Sequence, residues 1–298
     1  MNNQKIAAGI VLYNPEIVRL RKNIEGIYNQ VEKIYIFDNG SKNNNEICQL
    51  LNRYEDNKID FINYNNNQGL AFALNIIVLK SAEDGFDWIL TLDQDSICDS
   101  SIIETFMKYI YISDVGIICP VYYDSRRKNL DLIVKQQKTR DIDFCITSGS
   151  LTNIDIYKKI GGFDETLFIG LIDNEYCYKL RLAGYRIIED ASVIMNHELG
   201  NLTASKHEKL YLKLGDLLHS NTIKKLSYKR EVNPMRFYYS TRNMIYLNRK
   251  YYKNLNSIWS TKTFIKNTIA DFIRGKNKII LVKKFVLGVK DGLKLPAS

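Results

Sequence analysis

The sequence predicts an α/β protein in which a mostly parallel central sheet is followed by a basic, mainly helical C-terminal region. Three observations carry that prediction. Apolar runs of strand length alternate with helical segments through the first 200 residues, the pattern of successive βαβ units. Asn or Asp stands just past each of the first four runs, at Asn14, Asp38, Asn65 to Asn67, and Asp93 with Asp95. Charge is divided, with 21 Lys and Arg against 28 Asp and Glu in residues 1–200 (−7) and 21 against 5 in residues 201–298 (+16), together the net +9. Such asymmetry marks two regions that meet different partners.

The first strand is "KIAAGIVLY" at 5–13, stopped by Asn14-Pro15, and a helix runs from about Pro15 to Gln30 with proline at its opening. "KIYIFDNGS" is the second strand, ending in Asp38, Asn39 and Gly40, with a helix through Leu51. "IDFINY" is the third, and "NNNQGLAFALNIIVLKSA" turns through a glycine into another helix. "FDWILTLDQDS" is the fourth, and "IDFCITSG" at 142–149 reads as a further apolar strand. The expected division is an α/β domain at 1–200, with halves at about 1–97 and 98–200, and an extension at 201–298.

Composition excludes several classes. The 45% hydrophobic content is that of a globular protein. "IAAGIVLY" lacks a cationic leader and a cleavage site, so it reads as a buried strand instead of a signal peptide. No run approaches the roughly 20 apolar residues of a membrane span. Five scattered cysteines without a CxxC pair point to reduced core thiols in the cytosol and away from thiolate metal sites.

The fourth strand end concentrates the chemistry. In parallel α/β sheets, ligands bind beyond the carboxyl ends of the strands. Asp93 and Asp95 flank one residue there, and two such carboxylates suit Mg2+ or Mn2+ sharing its shell with phosphates. Turn formation alone also favours Asn and Asp; four polar ends along one edge make a binding rim.

Motifs along nearly the whole chain resemble family 2 glycosyltransferases with the nucleotide-sugar-binding fold called GT-A, in particular the rhamnosyltransferase branch. They are "VLYNP" at 11–15, "IFDNGS" at 36–41, "NQGLAFALN" at 67–75, "LTLDQDS" at 90–96 and "TSGSL" at 147–151. "IGGFDETLFIGLIDNEYCYKLRLAGYRI" at 160–187, "NHELG" at 196–200 and "RFYYSTRNMIYLNRKYY" at 236–252 continue the series. The resemblance implies an inverting transfer from a nucleotide sugar, dTDP-rhamnose or a UDP-sugar, to a glycan or polyprenyl-diphosphate-linked acceptor.

It also implies roles. Asp95, with Asp93 and His197, would hold the metal. Leu12, Tyr13, Asn14, Asp38, Asn39, Asn67, Gly69, Asp93 and Arg242 would bind the nucleotide sugar. Gly69 would let backbone approach the ligand, and Ser148 and Gly149 would border acceptor or sugar. Asp173 matches the family's catalytic acid, and Glu175 is the other candidate for the base that takes the acceptor hydroxyl's proton. Both also suit a helix start, where acids meet the helix dipole. The family pattern has a further acid three positions before Asp173; Gly170 stands there instead.

In the basic tail, Phe264, Thr268 and Phe272 share a helical face, and Val282, Phe285, Val289 and Leu293 recur at helical spacing with lysines between. A basic amphipathic helix reads as a membrane-surface element or as a helix packed on the core. The expectation is a cytoplasmic protein peripheral on the inner face of the membrane. Nucleic-acid motifs are absent, so no nucleic-acid partner is expected. "LDQDS" also resembles the opening of haloacid-dehalogenase-type phosphatases, but three βα units precede it here.

Overall fold

The computed structural model describes residues 4–55, 57–123, 138–196, 202–224, 227–230, 232–251, 261–275 and 277–296. The chain divides into two compact units, Met1–His197 and Glu198–Ser298.

The first unit opens with β1 (Ile6–Leu12), α1 (Ile17–Tyr28), β2 (Lys33–Asn39), α2 (Asn44–Leu51), β3 (Ile59–Tyr64), α3 (Leu70–Glu83) and β4 (Trp88–Asp93). It continues with α4 (Ile102–Phe106), β5 (Val115–Tyr123), β6 (Arg140–Asp141), β7 (Ser150–Asn153), α5 (Ile154–Ile160), α6 (Ile172–Leu182) and β8 (Arg186–Asn196). The strands form one sheet in the order β3-β2-β1-β4-β7-β5-β8-β6. β1 pairs in parallel with β2 and β4, and β2 with β3. β7 is antiparallel to both β4 and β5, so β5 and β8 again run with the first four strands.

Burial explains the order. β1, β2 and β4 are covered on both faces, which their near-continuous apolar runs require. On one face α1 lays Leu20, Asn23, Ile24 and Ile27 down at helical spacing. α3 approaches the sheet so closely that a Cβ on Gly9 of β1 would stand 2.4 Å from the Ile77 side chain. Trp88, Tyr35, Tyr176, Phe37 and Phe106 are the largest fully buried side chains. All five cysteines are unpaired, four of them buried.

One predicted strand is corrected. Residues 142–149 form irregular chain ending in a turn, and the strand begins only at Ser150. The cause is local, because Ser150 N bonds back to Thr147 O and Gly149 takes a φ of 81°, which breaks an extended run.

The second unit contains β9 (Leu202–Ala204), α7 (Glu208–Leu217), α8 (Asn221–Lys224), β10 (Tyr228–Arg230), α9 (Pro234–Lys250), α10 (Thr261–Arg274) and α11 (Lys278–Lys294). β9 and β10 pair antiparallel. α9 starts with an Asn233 side-chain cap and Pro234 in its first turn. α9 and α11 run in the same direction, with Phe237 near Phe285 at one end and Arg249 donating to the Gly292 and Leu295 carbonyls at the other. Gly288 and Gly292 make the contact close: a Cβ there would stand 2.9 Å from the Tyr238 carbonyl or 2.6 Å from that of Arg242. α11 buries Leu281, Gly288 and Gly292, while Val282 and Leu293 of the expected apolar stripe are exposed. Among the described residues no helix is long and apolar enough to cross a membrane.

Candidate active site

The carboxyl ends of β1, β2, β3 and β4 lie on one edge of the sheet. Asp93 closes β4, half-buried, and Asp95 is exposed in the turn that follows. Both main-chain groups of Asp93 are held from below: its N–H donates to Ser148 Oγ at 2.9 Å, and its carbonyl accepts from Asn23 Nδ2 at 2.5 Å. Ser148 Oγ also meets Ser96 Oγ at 2.7 Å. Between the two acids, Gln94 reaches across to β1, accepting from Tyr13 N at 2.8 Å and donating to Tyr13 O at 3.4 Å. The turn bearing Asp93 and Asp95 is thus fixed by Ser148, by Asn23 and, through its own Gln94, by the Tyr13 backbone. Asn23 and Gln94 escaped sequence reading because the contacts exist only once β1, α1 and β4 are side by side.

The neighbouring loops interlock in the same way. Asn14, at a φ of 49°, donates from its N–H to Ser41 Oγ and accepts from Lys42 N through Oδ1. Asp38 is fully buried, one oxygen accepting from Ser41 N and the other from Asn44 Nδ2. Asn39 accepts from Gln68 N and donates to Gly69 O, while Asn67 Oδ1 accepts from Gly69 N. Tyr13 is 49% exposed on this rim.

Several expected ligand contacts become internal ones. Leu12 is fully buried in the core, so its side chain packs and does not line a nucleoside pocket. Ser148 is buried beneath Asp93, and a Cβ on Gly149 would meet Met195 and Pro120, so the contacts seen at both residues are internal. Gly69, at a φ of 94°, makes room for Phe168, whose carbonyl oxygen would lie 2.8 Å from an added Cβ. Leu70 N donates to that same carbonyl at 2.7 Å.

Phe168 belongs to the segment that leads into α6. Asn75 on α3 holds it further back, donating to Phe163 O and Glu165 and accepting from Phe163 N. Gly170 and Leu171 both take left-handed backbone, with φ of 81° and 63°, and α6 begins at once. Asp173 sits in its first turn, half-buried, and burial pushes its carboxyl up to about 6, with the Asp93 charge adding to the rise. Glu175 is fully buried on the same helix, 3.6 Å from Lys179 Nζ, which also donates to the Gly162 carbonyl. That places Glu175 in a structural pair behind the segment. Arg242 lies on α9 in the second unit, its guanidinium 4.8 Å from the Tyr239 ring centre and bonded to Asn243. His197 lies outside the described residues.

The sequence that builds this rim, from β1 to the turn that opens α6, is matched by a family model. The model for glycosyl transferase family 2 aligns with residues 8–171. The chain belongs to that family. Its members' transfer chemistry makes it a glycosyltransferase and removes the phosphatase alternative. The dTDP-rhamnosyl transferase RfbF of Shigella flexneri is 28% identical over 98% of this chain and 96% of its own length. The bifunctional glycosyltransferase pgtA of Dictyostelium discoideum is 29% identical over 40% of this chain and 16% of its own length.

Solved structures show the same fold. The mannosyltransferase PcManGT from Pyrobaculum calidifontis, determined with GDP-Man and Mn2+, aligns at a TM-score of 0.55 and 12% identity, covering 98% of this chain and 88% of its own. GalNAc-T7, determined with UDP, GalNAc and Mn2+, aligns at 0.51 and 12%, covering 99% and 59%. The sheet here is accordingly the GT-A architecture expected from sequence.

Whether Asp93 and Asp95 suit a divalent ion is a question of donor chemistry. Among the described residues no group of three His, Cys, Asp or Glu converges as a metal-holding set. Two carboxylates on a rigid turn, one of them exposed, fit Mg2+ or Mn2+, which take one or two protein carboxylates and fill the rest of their shell with phosphate oxygens and water.

Proposed function

We propose that this chain is an inverting, metal-dependent glycosyltransferase that moves rhamnose from dTDP-rhamnose to a hydroxyl of a cell-surface polysaccharide or lipid-linked glycan precursor. The observation that carries the reading is the joint between Phe168 and Gly69–Leu70, which ties the segment leading to Asp173 onto the rim that ends in Asp93 and Asp95. Two acids with different environments are thereby kept on one site, the arrangement that lets one stabilise the leaving group and the other move a proton. The near full-length likeness to a dTDP-rhamnosyl transferase supports rhamnose as the sugar and dTDP as its carrier.

Asp95 and Asp93 would hold the ion, with His197 as a further donor, and a bound ion would neutralise charge on the departing diphosphate. Tyr13 and Asn14 offer the exposed rim of β1 to the nucleoside, and the loops shaped by Asp38, Asn39 and Asn67 close around it. Asp173 takes the acceptor's hydroxyl proton as the oxygen attacks the anomeric carbon from the face opposite the leaving group. A carboxyl raised toward neutrality is a stronger base than an ordinary one. The reaction belongs at the inner face of the cytoplasmic membrane.

Thermal stability with dTDP, UDP and GDP, each with Mg2+ or Mn2+ and with chelator, tests the donor side, because a ligand at a hundred times its Kd adds about 2.7 kcal/mol. The expected result is a metal-dependent rise, largest with dTDP and absent in Asp95→Ala. A larger rise with UDP would retain the transferase and replace the sugar nucleotide.

A further inference from the structure

The second unit holds most of the exposed large apolar side chains among the described residues, and α11 carries the densest set. Its inner side packs on α9 through Gly288 and Gly292, with Leu281 buried beside Gly275. The polar groups turned that way are also matched, Asp291 accepting from the Tyr238 hydroxyl at 2.8 Å and Lys284 lying 5.6 Å from the Tyr238 ring centre. Asp291 is the helix's single acid.

The outer side is different. Ile279, Val282, Val286 and Leu293 are 70%, 48%, 59% and 57% exposed. At 100° per residue these four share an arc of about 60°. Lys290, Lys283 and Lys294, all exposed, follow in a row immediately beside that arc. Leu287 and Ile280, also exposed, flank the row on its other side. No acid lies on this face. An interface to a neutral or basic protein surface would not need three aligned cations, and simple solvation would not need six apolar side chains around them.

We propose that the outer face of α11 is a docking surface for an anionic lipid bilayer. The 17-residue helix, about 25 Å long, lies in the plane of the headgroups. Its apolar arc enters the acyl boundary while Lys283, Lys290 and Lys294 reach anionic headgroups with their stems along the boundary. α7 repeats the chemistry on a smaller scale, with Leu210, Leu214 and Leu217 exposed at helical spacing beside Lys213. The grip on α9 has a purpose in this reading: a helix clamped through glycines keeps its outer face presented without needing the bilayer to fold it. The docking surface is independent of the donor assignment, since it requires neither nucleotide nor metal.

The test is sedimentation of the full chain with vesicles of phosphatidylcholine, with and without phosphatidylglycerol, at about 0.15 M salt. Binding to the phosphatidylglycerol vesicles is expected, weakening as salt rises. The triple variant K283E, K290E and K294E should bind them about a hundredfold more weakly, and V286D with L293D should also lose binding. Both variants should keep the nucleotide-induced thermal shift, which reports an intact first unit. Equal binding by the lysine variant, or no binding by the parent, would overturn the proposal. So would a parent that sediments as a dimer, ignores vesicles and becomes monomeric on V286D, because a second copy would then cover the face.

Discussion

Gly69 and Phe168 are packed so closely that the smallest side chain does not fit between them: an added Cβ would stand 2.8 Å from both the Phe168 ring and its carbonyl oxygen. Gly69 also has φ 94° and ψ 161°, backbone that is essentially confined to glycine. Gly69→Ala should therefore cost about 2–4 kcal/mol in urea unfolding. Gly85→Ala is the control, since Gly85 shares the positive φ but has nothing within 4 Å of a new Cβ, and about 1 kcal/mol is expected. Equal losses would mean that the Phe168 contact is dispensable.

Asn23→Leu removes the donor to the Asp93 carbonyl without leaving a hole. Asn23 is fully buried and its Oδ1 has no hydrogen-bond partner, so replacing it with an apolar side chain of similar size should change stability by no more than about 1 kcal/mol. Mn2+-dependent nucleotide binding, followed by calorimetry, should weaken about tenfold, the usual scale for a group that orients a metal ligand. Unchanged affinity would remove Asn23 from the support of the acidic turn.

Asp173→Asn separates binding from transfer, and pH gives it a second readout. The folded carboxyl titrates near 6 against an ordinary 3.8. The fold thus favours the protonated form, a contribution fully present below 3.8 and lost as pH rises through 6. The asparagine variant should unfold later than the parent at pH 8, with the difference shrinking at pH 5. The ceiling is about 3 kcal/mol, less because the residue retains solvent. Donor-induced stabilisation should survive while transfer falls by at least about a hundredfold. Retained transfer would pass the role of base to Glu175.

Lys179→Met breaks the ion pair with the buried Glu175, so a loss of about 3 kcal/mol is expected. Adding Glu175→Gln should restore part of it in denaturant melts. If Glu175 serves structure, Glu175→Gln alone should retain donor binding and most turnover.

The parallel half of the fold was legible because β1, β2 and β4 are buried on both faces and announce themselves as apolar runs. Asp93 and Asp95 drew notice through residue type and spacing at a strand end, and Asp173 through its likeness to the family pattern. Their supports were not: Asn23 meets Asp93 across 70 residues and Ser148 across 55, and polarity alone does not say whether a serine faces ligand or backbone. Ile142, Phe144 and Ile146 alternate like a strand, yet hydrogen bonding there follows the turn at Thr147 to Ser150. On α11 the buried line runs through Gly288 and Gly292, and hydrophobic periodicity cannot see a contact made by glycine.

The antiparallel β7, inserted between β4 and β5, also bears on how the chain is made. When a ribosome has released residues through β4, Trp88 to Thr91 have one partner, β1, and their other edge stays open until Ser150 to Asn153 emerge. An unpaired apolar edge invites a neighbouring nascent chain. Synthesis of the intervening 58 residues, Leu92 to Gly149, is thus a window of several seconds at about 5–20 residues per second. An apolar edge left open for that interval is the kind of surface that chaperones cover.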